Sequence, residues 1–99
     1  MRDICCYILW SDMLMKFYTG ACQFSLKDRI EKHNNGFYRG QHFSKQANDW
    51  RLFLKIEAID YSHTIRIEQK VKSMKSSINI RNLKKYPELV ENLKDSTRN

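Results

Sequence analysis

Residues 4–10, Ile-Cys-Cys-Tyr-Ile-Leu-Trp, form an uncharged apolar run of strand length, and residues 16–22 form a second, rich in aromatic and β-branched side chains. Residues 11–15 separate them, so the pattern predicts a β-hairpin. A turn centred between Asp12 and Met13 would set Tyr7 directly opposite Tyr18 on one face, with Cβ atoms about 4.5–5.5 Å apart. Ser25 then offers a helix cap, Asp28 falls in the first turn, and Leu26, Ile30 and His33 recur at helical spacing until Asn34, Asn35 and Gly36. This is the first helix, residues 26–34.

Residues 35–49 read as a long loop that interleaves Phe37, Tyr38 and Phe43 with Arg39, His42 and Lys45. A nucleic-acid contact and a set of aromatics tucked against the core are equally good readings of it. Residues 50–59 read as a third strand, because Leu52, Leu54 and Ile56 alternate with Arg51, Phe53, Lys55 and Glu57. It should complete a three-stranded sheet. Ser62 is placed to cap a helix running to about residue 74 with Ile67, Val71 and Met74 as its buried stripe. Ser76 or Ser77 starts a short helix carrying Ile78, Ile80 and Leu83, and Pro87 opens a last one holding Leu89, Val90 and Leu93. The fold class expected is α/β (α+β): a small three-stranded antiparallel sheet flanked by helices in the order ββαβααα. A single domain would span residues 1–94, ahead of a polar, frayed tail at residues 95–99.

Ninety-nine residues suffice for one modest core, and three glycines with one proline argue against disorder. The net charge of +7 and a pI near 9.5 favour a polyanionic partner. Seven basic residues (Arg66, Lys70, Lys72, Lys75, Arg81, Lys84 and Lys85) crowd one stretch against a single acid, Glu68. A solvated helical surface explains such a run as readily as a phosphate-tracking face does. Cys5, Cys6 and Cys22 have no metal-ligand spacing, and neighbours on a strand point to opposite faces. Reduced thiols and a cytoplasmic protein follow, with no membrane partner, since the opening apolar run is far too short to span a bilayer.

Arg29 and His33 lie four apart and flank the Leu26/Ile30 stripe, so both should lean toward the sheet. A guanidinium there needs an anion, either a neighbouring carboxylate or a substrate phosphate that its fork matches. A lone histidine at such a place is more often a satisfied core residue than a reacting one, and a tyrosine pair is more often packing. Glu68 has Lys72 one turn on, an ordinary surface ion pair, or it serves as a hard-oxygen ligand for Mg²⁺.

Taken together these strings resemble the GIY-YIG nuclease superfamily, in particular its small stand-alone members, over most of the chain. Cys6-Tyr7-Ile8-Leu9 is similar to the GIY segment and Phe17-Tyr18-Thr19-Gly20 to the YIG segment at the usual spacing. Residues 26–34 resemble the family's L-x-x-R-[LI]-x-x-H-N helix, and residues 68–76 its E-x-x-[IV]-K-[SG]-x-K region. Each string alone is weak, but four in the correct order are specific. Cys5-Cys6 and Thr19 depart from the pattern at variable strand positions, and Tyr86-Pro87 stands where some branches carry Asn-Pro.

The resemblance implies a DNA endonuclease. Tyr7 would be the general base, Tyr18 would position it and the attacking water, Arg29 would clamp the scissile phosphate, and His33 would relay the proton. Phenols titrate near 10 in water, so such a base needs cations nearby, and Arg29 supplies one. Glu68 would anchor a single Mg²⁺ or Mn²⁺ acting as a Lewis acid on the leaving-group side. Arg39, Lys45, Lys70, Lys72 and Lys75 would join Arg29 in binding nucleic acid, whether duplex, branched or single-stranded DNA. Two other functions fit the charge: a non-catalytic nucleic-acid-binding module of the same fold, and a subunit docking on an acidic protein. The tyrosines, Arg29 and Glu68 favour the enzyme, because pure binding needs only the basic face. Monomer and homodimer both stay open, since cutting two strands with one site takes a dimer or two encounters.

Overall fold

The middle strand of the sheet is the most apolar one, and position explains why. Strand β1 (Cys5–Ser11) lies between β2 (Lys16–Cys22) and β3 (Arg51–Glu57), antiparallel to both, so nearly every side chain on it is buried on one face or the other. A strand covered on both sides needs a continuous apolar run and not an alternating one. The computed structural model describes residues 3–35, 47–74 and 76–98.

Helix α1 (Leu26–Asn34) covers one face of this sheet, while α2 (Tyr61–Lys72), α3 (Ser77–Lys85) and α4 (Pro87–Ser96) cover the other. The expected α+β architecture and the order ββαβααα are therefore observed. Cys5, Tyr7 and Leu9 pack with Cys22, Leu26 and Trp50 under α1. Cys6 and Ile8 pack with Ile56, Ile67, Val71 and Leu83 on the opposite side. All three cysteines are free and buried, and adjacent Cys5 and Cys6 do face opposite layers. No helix among the described residues is long and apolar enough to cross a membrane.

The hairpin register differs from the one expected. Tyr7 pairs with Gly20 and Tyr18 with Leu9, so the two tyrosines are diagonal neighbours and not direct partners. The turn is centred between Met13 and Leu14, one residue later than expected, where a distant residue holds it. The Asp49 carboxylate accepts the Ser11 hydroxyl at 2.6 Å and the Met13 N–H at 2.9 Å, while the Ser11 oxygen accepts the Leu14 N–H at 3.1 Å. Met15 closes the turn with φ of 54°. A shift by an even number of residues keeps every side chain on its face, so Tyr7 and Tyr18 still share one.

On β3 the simple alternation also breaks. Ile8 pairs with Leu54 but Leu9 pairs with Leu52, leaving Phe53 as the extra residue of a bulge. Phe53 turns to the α2 side and meets Phe17 edge-on at 4.9 Å, whereas Leu52, expected in the core, is 43% exposed. Aromatic packing against β2 outweighs strict alternation here.

Local signals start the helices, with one change. Ser25 caps α1, accepting the Asp28 N–H at 3.2 Å, Ser76 caps α3, and Pro87 occupies the first turn of α4. Helix α2 is capped by Asp60 and not by Ser62: its carboxylate accepts the His63 N–H at 2.7 Å. Asp and Ser cap equally well, so the point where the chain leaves β3 decides between them. The polar end of the chain is also better held than its composition suggests. Helix α4 runs to Ser96, Thr97 is buried, and Arg66 donates to the carbonyls of Thr97 at 2.6 Å and Arg98 at 2.8 Å. Buried His63 accepts the Ile59 N–H on Nδ1 at 3.1 Å, so its Nε2 carries the proton and faces the Lys94 carbonyl at 3.0 Å and Thr97 Oγ1 at 3.1 Å.

Candidate active site

Tyr7 stands at the middle of β1 with its ring lying over β2, and Gly20 is what allows it. A Cβ on Gly20 would sit 2.5 Å from the Tyr7 hydroxyl oxygen and 2.6 Å from Cζ, so any side chain would displace the phenol. From this position Tyr7 Oη is 3.0 Å from His33 Nε2, in a buried hydrogen bond that ties the sheet to α1. Tyr18, two residues from Gly20 on the same face, packs its ring 4.8 Å from the His33 imidazole, and Trp50 stands 6.0 Å beyond it, edge to face. One imidazole thus touches both tyrosines.

The support of this cluster comes from the end of α1. Asn34 Oδ1 accepts the Trp50 N–H at 2.6 Å and its Nδ2 donates to the Trp50 carbonyl at 2.9 Å, so one amide clamps the entrance of β3 to the helix. At the other end, Asp3 accepts the Leu26 N–H at 2.9 Å and pairs with Lys55 at 3.2 Å. Those two contacts, the backbone one first, hold the Asp3 carboxyl below the usual carboxylate range. With both ends fixed, the orientation of His33 and Arg29 is set by the rigid helix between them. Arg29 lies one turn before His33 and is half-buried, as its flanking place on the stripe requires.

Glu68 belongs to a different layer. Helix α2 packs on the Cys6/Ile8 face, and Glu68 lies near Cys6: burial drives the Cys6 thiol far above its ordinary value, and the Glu68 charge adds to the effect. Its side chain is 18% exposed and pairs with Lys72 Nζ at 3.5 Å. The described contacts join Tyr7, Tyr18 and His33 to one another and do not join Glu68 to them. What the two layers share is the outer edge of β2. A cleft of about 260 Å³ there is lined by Tyr18 and Thr19 from the strand and by Val71 and Lys72 from α2. Tyr18 and the ion-pair partner of Glu68 therefore face one cavity.

The expected basic surface divides into distinct uses. Arg66 fastens the end of α4, Arg81 stacks over Trp10 and Phe17 at 5.4 and 5.6 Å, and Lys84 lies over Phe53 at 4.9 Å. Lys70 and Lys72 are exposed, Lys72 beside its carboxylate. Arg39, Lys45 and Lys75 lie outside the described residues, as does most of the expected loop. Gly20, Asn34 and Trp50 were given no role in the sequence; Gly20 and Asn34 sit inside the motif strings, while Trp50 carries no local signal beyond its size.

Among the described residues no three His, Cys, Asp or Glu gather as a metal-binding group. A lone carboxylate still suits Mg²⁺, which keeps several waters and takes further oxygens from a phosphate. No curated protein and no solved structure matches the chain. A family model does: the GIY-YIG catalytic domain matches residues 3–84, from the residue that anchors α1 to the last turn of α3. A match over most of the chain, on strands and helices in the family's order, places this protein in the GIY-YIG catalytic domain family, which is a family of nucleases.

Proposed function

We propose that this protein is a metal-dependent endonuclease that hydrolyses phosphodiester bonds of DNA at the edge of β2. The buried hydrogen bond between Tyr7 and His33, with Tyr18 against the same imidazole, is the observation that carries the proposal. With the imidazole proton on Nδ1, Nε2 accepts from the Tyr7 hydroxyl. It would take up the phenolic proton as the Tyr7 oxygen takes one from the attacking water, leaving an imidazolium and a neutral tyrosine. Tyr18 positions that water and lines the cleft in which the scissile phosphate would sit. Arg29 offers the phosphate a charge-assisted fork as negative charge builds on it. Glu68 is the residue that would hold a divalent ion, Mg²⁺ or Mn²⁺, whose chemistry is Lewis-acid stabilisation of the leaving oxygen. Lys70 and Lys72, exposed on the same helix, would neutralise neighbouring phosphates and make binding fall with salt by about 0.9 log units per log salt for each one engaged on duplex DNA.

The test incubates the purified protein with labelled single-stranded, duplex, flapped and branched DNA in Mg²⁺, Mn²⁺ or EDTA. Wild type is expected to cut at least one substrate, and only with metal. Tyr7→Phe should bind it equally well but cut it roughly 10²–10⁴-fold more slowly, the usual span for a lost general base, and Glu68→Ala should bind without cutting. Equal behaviour of all three proteins would replace this reading with that of a non-catalytic DNA-binding module.

A further inference from the structure

Trp50 stands just ahead of β3, outside the ladder that pairs this strand with β1, yet it is only 2% exposed. Buried backbone groups beyond a ladder need other partners. Asn34 supplies both, since its Oδ1 accepts the Trp50 N–H at 2.6 Å and its Nδ2 donates to the Trp50 carbonyl at 2.9 Å. One carboxamide thus replaces the rung that a neighbouring strand would give, and it fixes the backbone from which the indole projects.

The reach of that indole is set by the strand order. In the order β2-β1-β3 the two outer strands lie two spacings apart, about 10 Å. Leu9 of β1 stands between them at this level, pairing with Tyr18 on one side and with Leu52 on the other. Only a large side chain crosses such a gap. The Trp50 ring does so and meets Tyr18 edge to face, with 6.0 Å between centroids. Tyr18 needs such a wall, because β2 is an edge strand and the tyrosine is only half-buried on it. Its ring also lies 4.8 Å from the imidazole of His33, the residue next to Asn34. Two successive residues of α1 therefore set two neighbours of the same phenol, one directly and one through the indole.

We propose that Trp50 is a positioning residue: held by Asn34, its indole fixes the Tyr18 ring in the orientation that directs the attacking water. This role rests on the nuclease reading; the ring contact itself does not. Because the indole is buried it touches no substrate, so its loss should slow the chemical step without weakening DNA binding.

The experiment compares wild type with Trp50→Ala, Trp50→Phe and Asn34→Asp. Aspartate matches asparagine in shape and keeps the acceptor for the Trp50 N–H, but it sets a carboxylate oxygen against the Trp50 carbonyl and so loosens the clamp without opening a cavity. The ring protons of Tyr18, assigned by their absence from Tyr18→Phe, are followed by NMR without DNA. Cleavage is measured in Mg²⁺ as kcat and KM, and affinity for uncut DNA is measured in EDTA. The Tyr18 signals are expected to move toward those of a free tyrosine in Trp50→Ala and Asn34→Asp, with kcat lowered about 10²-fold in the first and about tenfold in the second. KM and affinity in EDTA should stay as in wild type, and Trp50→Phe, which keeps an aromatic edge, should recover part of the rate. Asn34→Asp decides the matter if Trp50→Ala does not fold. Tyr18 signals that stay in place, an unchanged kcat, or an equal loss of DNA affinity overturns the role. A wild type that cuts nothing sinks the nuclease reading, and the Tyr18 signals then still decide whether Trp50 holds the ring.

Discussion

Strand β1 sends Cys6 and Ile8 into an aliphatic cluster with Ile56, Ile67 and Val71, and it sends Tyr7 to a hydroxyl, imidazole and indole assembly on the other side. The first set is held by burial, which is non-directional and tolerates changes of shape at constant volume. The second depends on distances: one hydrogen bond, one missing Cβ and one amide clamp determine where the phenol lies. On the proposed function, residues from alternate positions of a single strand divide stability from chemistry, and the division can be tested from either side.

The largest effect is expected on the aliphatic face. Ile67→Ala removes a fully buried side chain and should cost about 2–5 kcal/mol in a denaturant titration, with the cleavage rate per folded molecule unchanged. A rate that falls in step with stability would mean that the two faces are not separable. Gly20→Ala attacks the opposite face. The new methyl cannot coexist with the Tyr7 ring, so overpacking should cost about 1–3 kcal/mol, and displacement of the phenol by about 1 Å should slow cleavage about 10²-fold. Full activity in this variant would show that the position of Tyr7 is not critical. The smallest effect is a pH dependence confined to the hairpin tip. The Ser11 hydroxyl chiefly, with the Met13 N–H, holds the Asp49 carboxyl below the usual carboxylate range. Because its folded pKa lies below the unfolded value of about 3.9, the clasp contributes fully above that value and is lost as pH falls through the folded one. Hydrogen exchange at the Met13 and Leu14 amides should accelerate in that acid range in wild type, and Asp49→Asn should show no such step.

Most element bounds were legible because each had a local cause. Residues 26–34 carry their own cap, their own stripe and their own stop, and α1 occupies those residues. The errors arose where a distant partner competed with a local signal. The turn position followed Asp49, the β3 alternation yielded to Phe17, and the polar end of the chain was captured by His63 and Arg66. In the candidate site, Tyr7, Tyr18 and His33 were named from their order along the chain, and they meet. Gly20 and Trp50 went unassigned, since the reason for each is the neighbour it touches.

Hydrophobic periodicity, caps and motif order are properties of neighbouring residues, and through them the sequence alone determined the element order, which residues of β1 and β2 share a face, and the family. Only the tertiary structure decided the hairpin register, the bulge at Phe53, the contact of both tyrosines with one imidazole and the cleft that Tyr18 and Lys72 line at the β2 edge. Those features depend on which remote groups come within hydrogen-bonding or packing range, and that proximity exists only once the chain has folded.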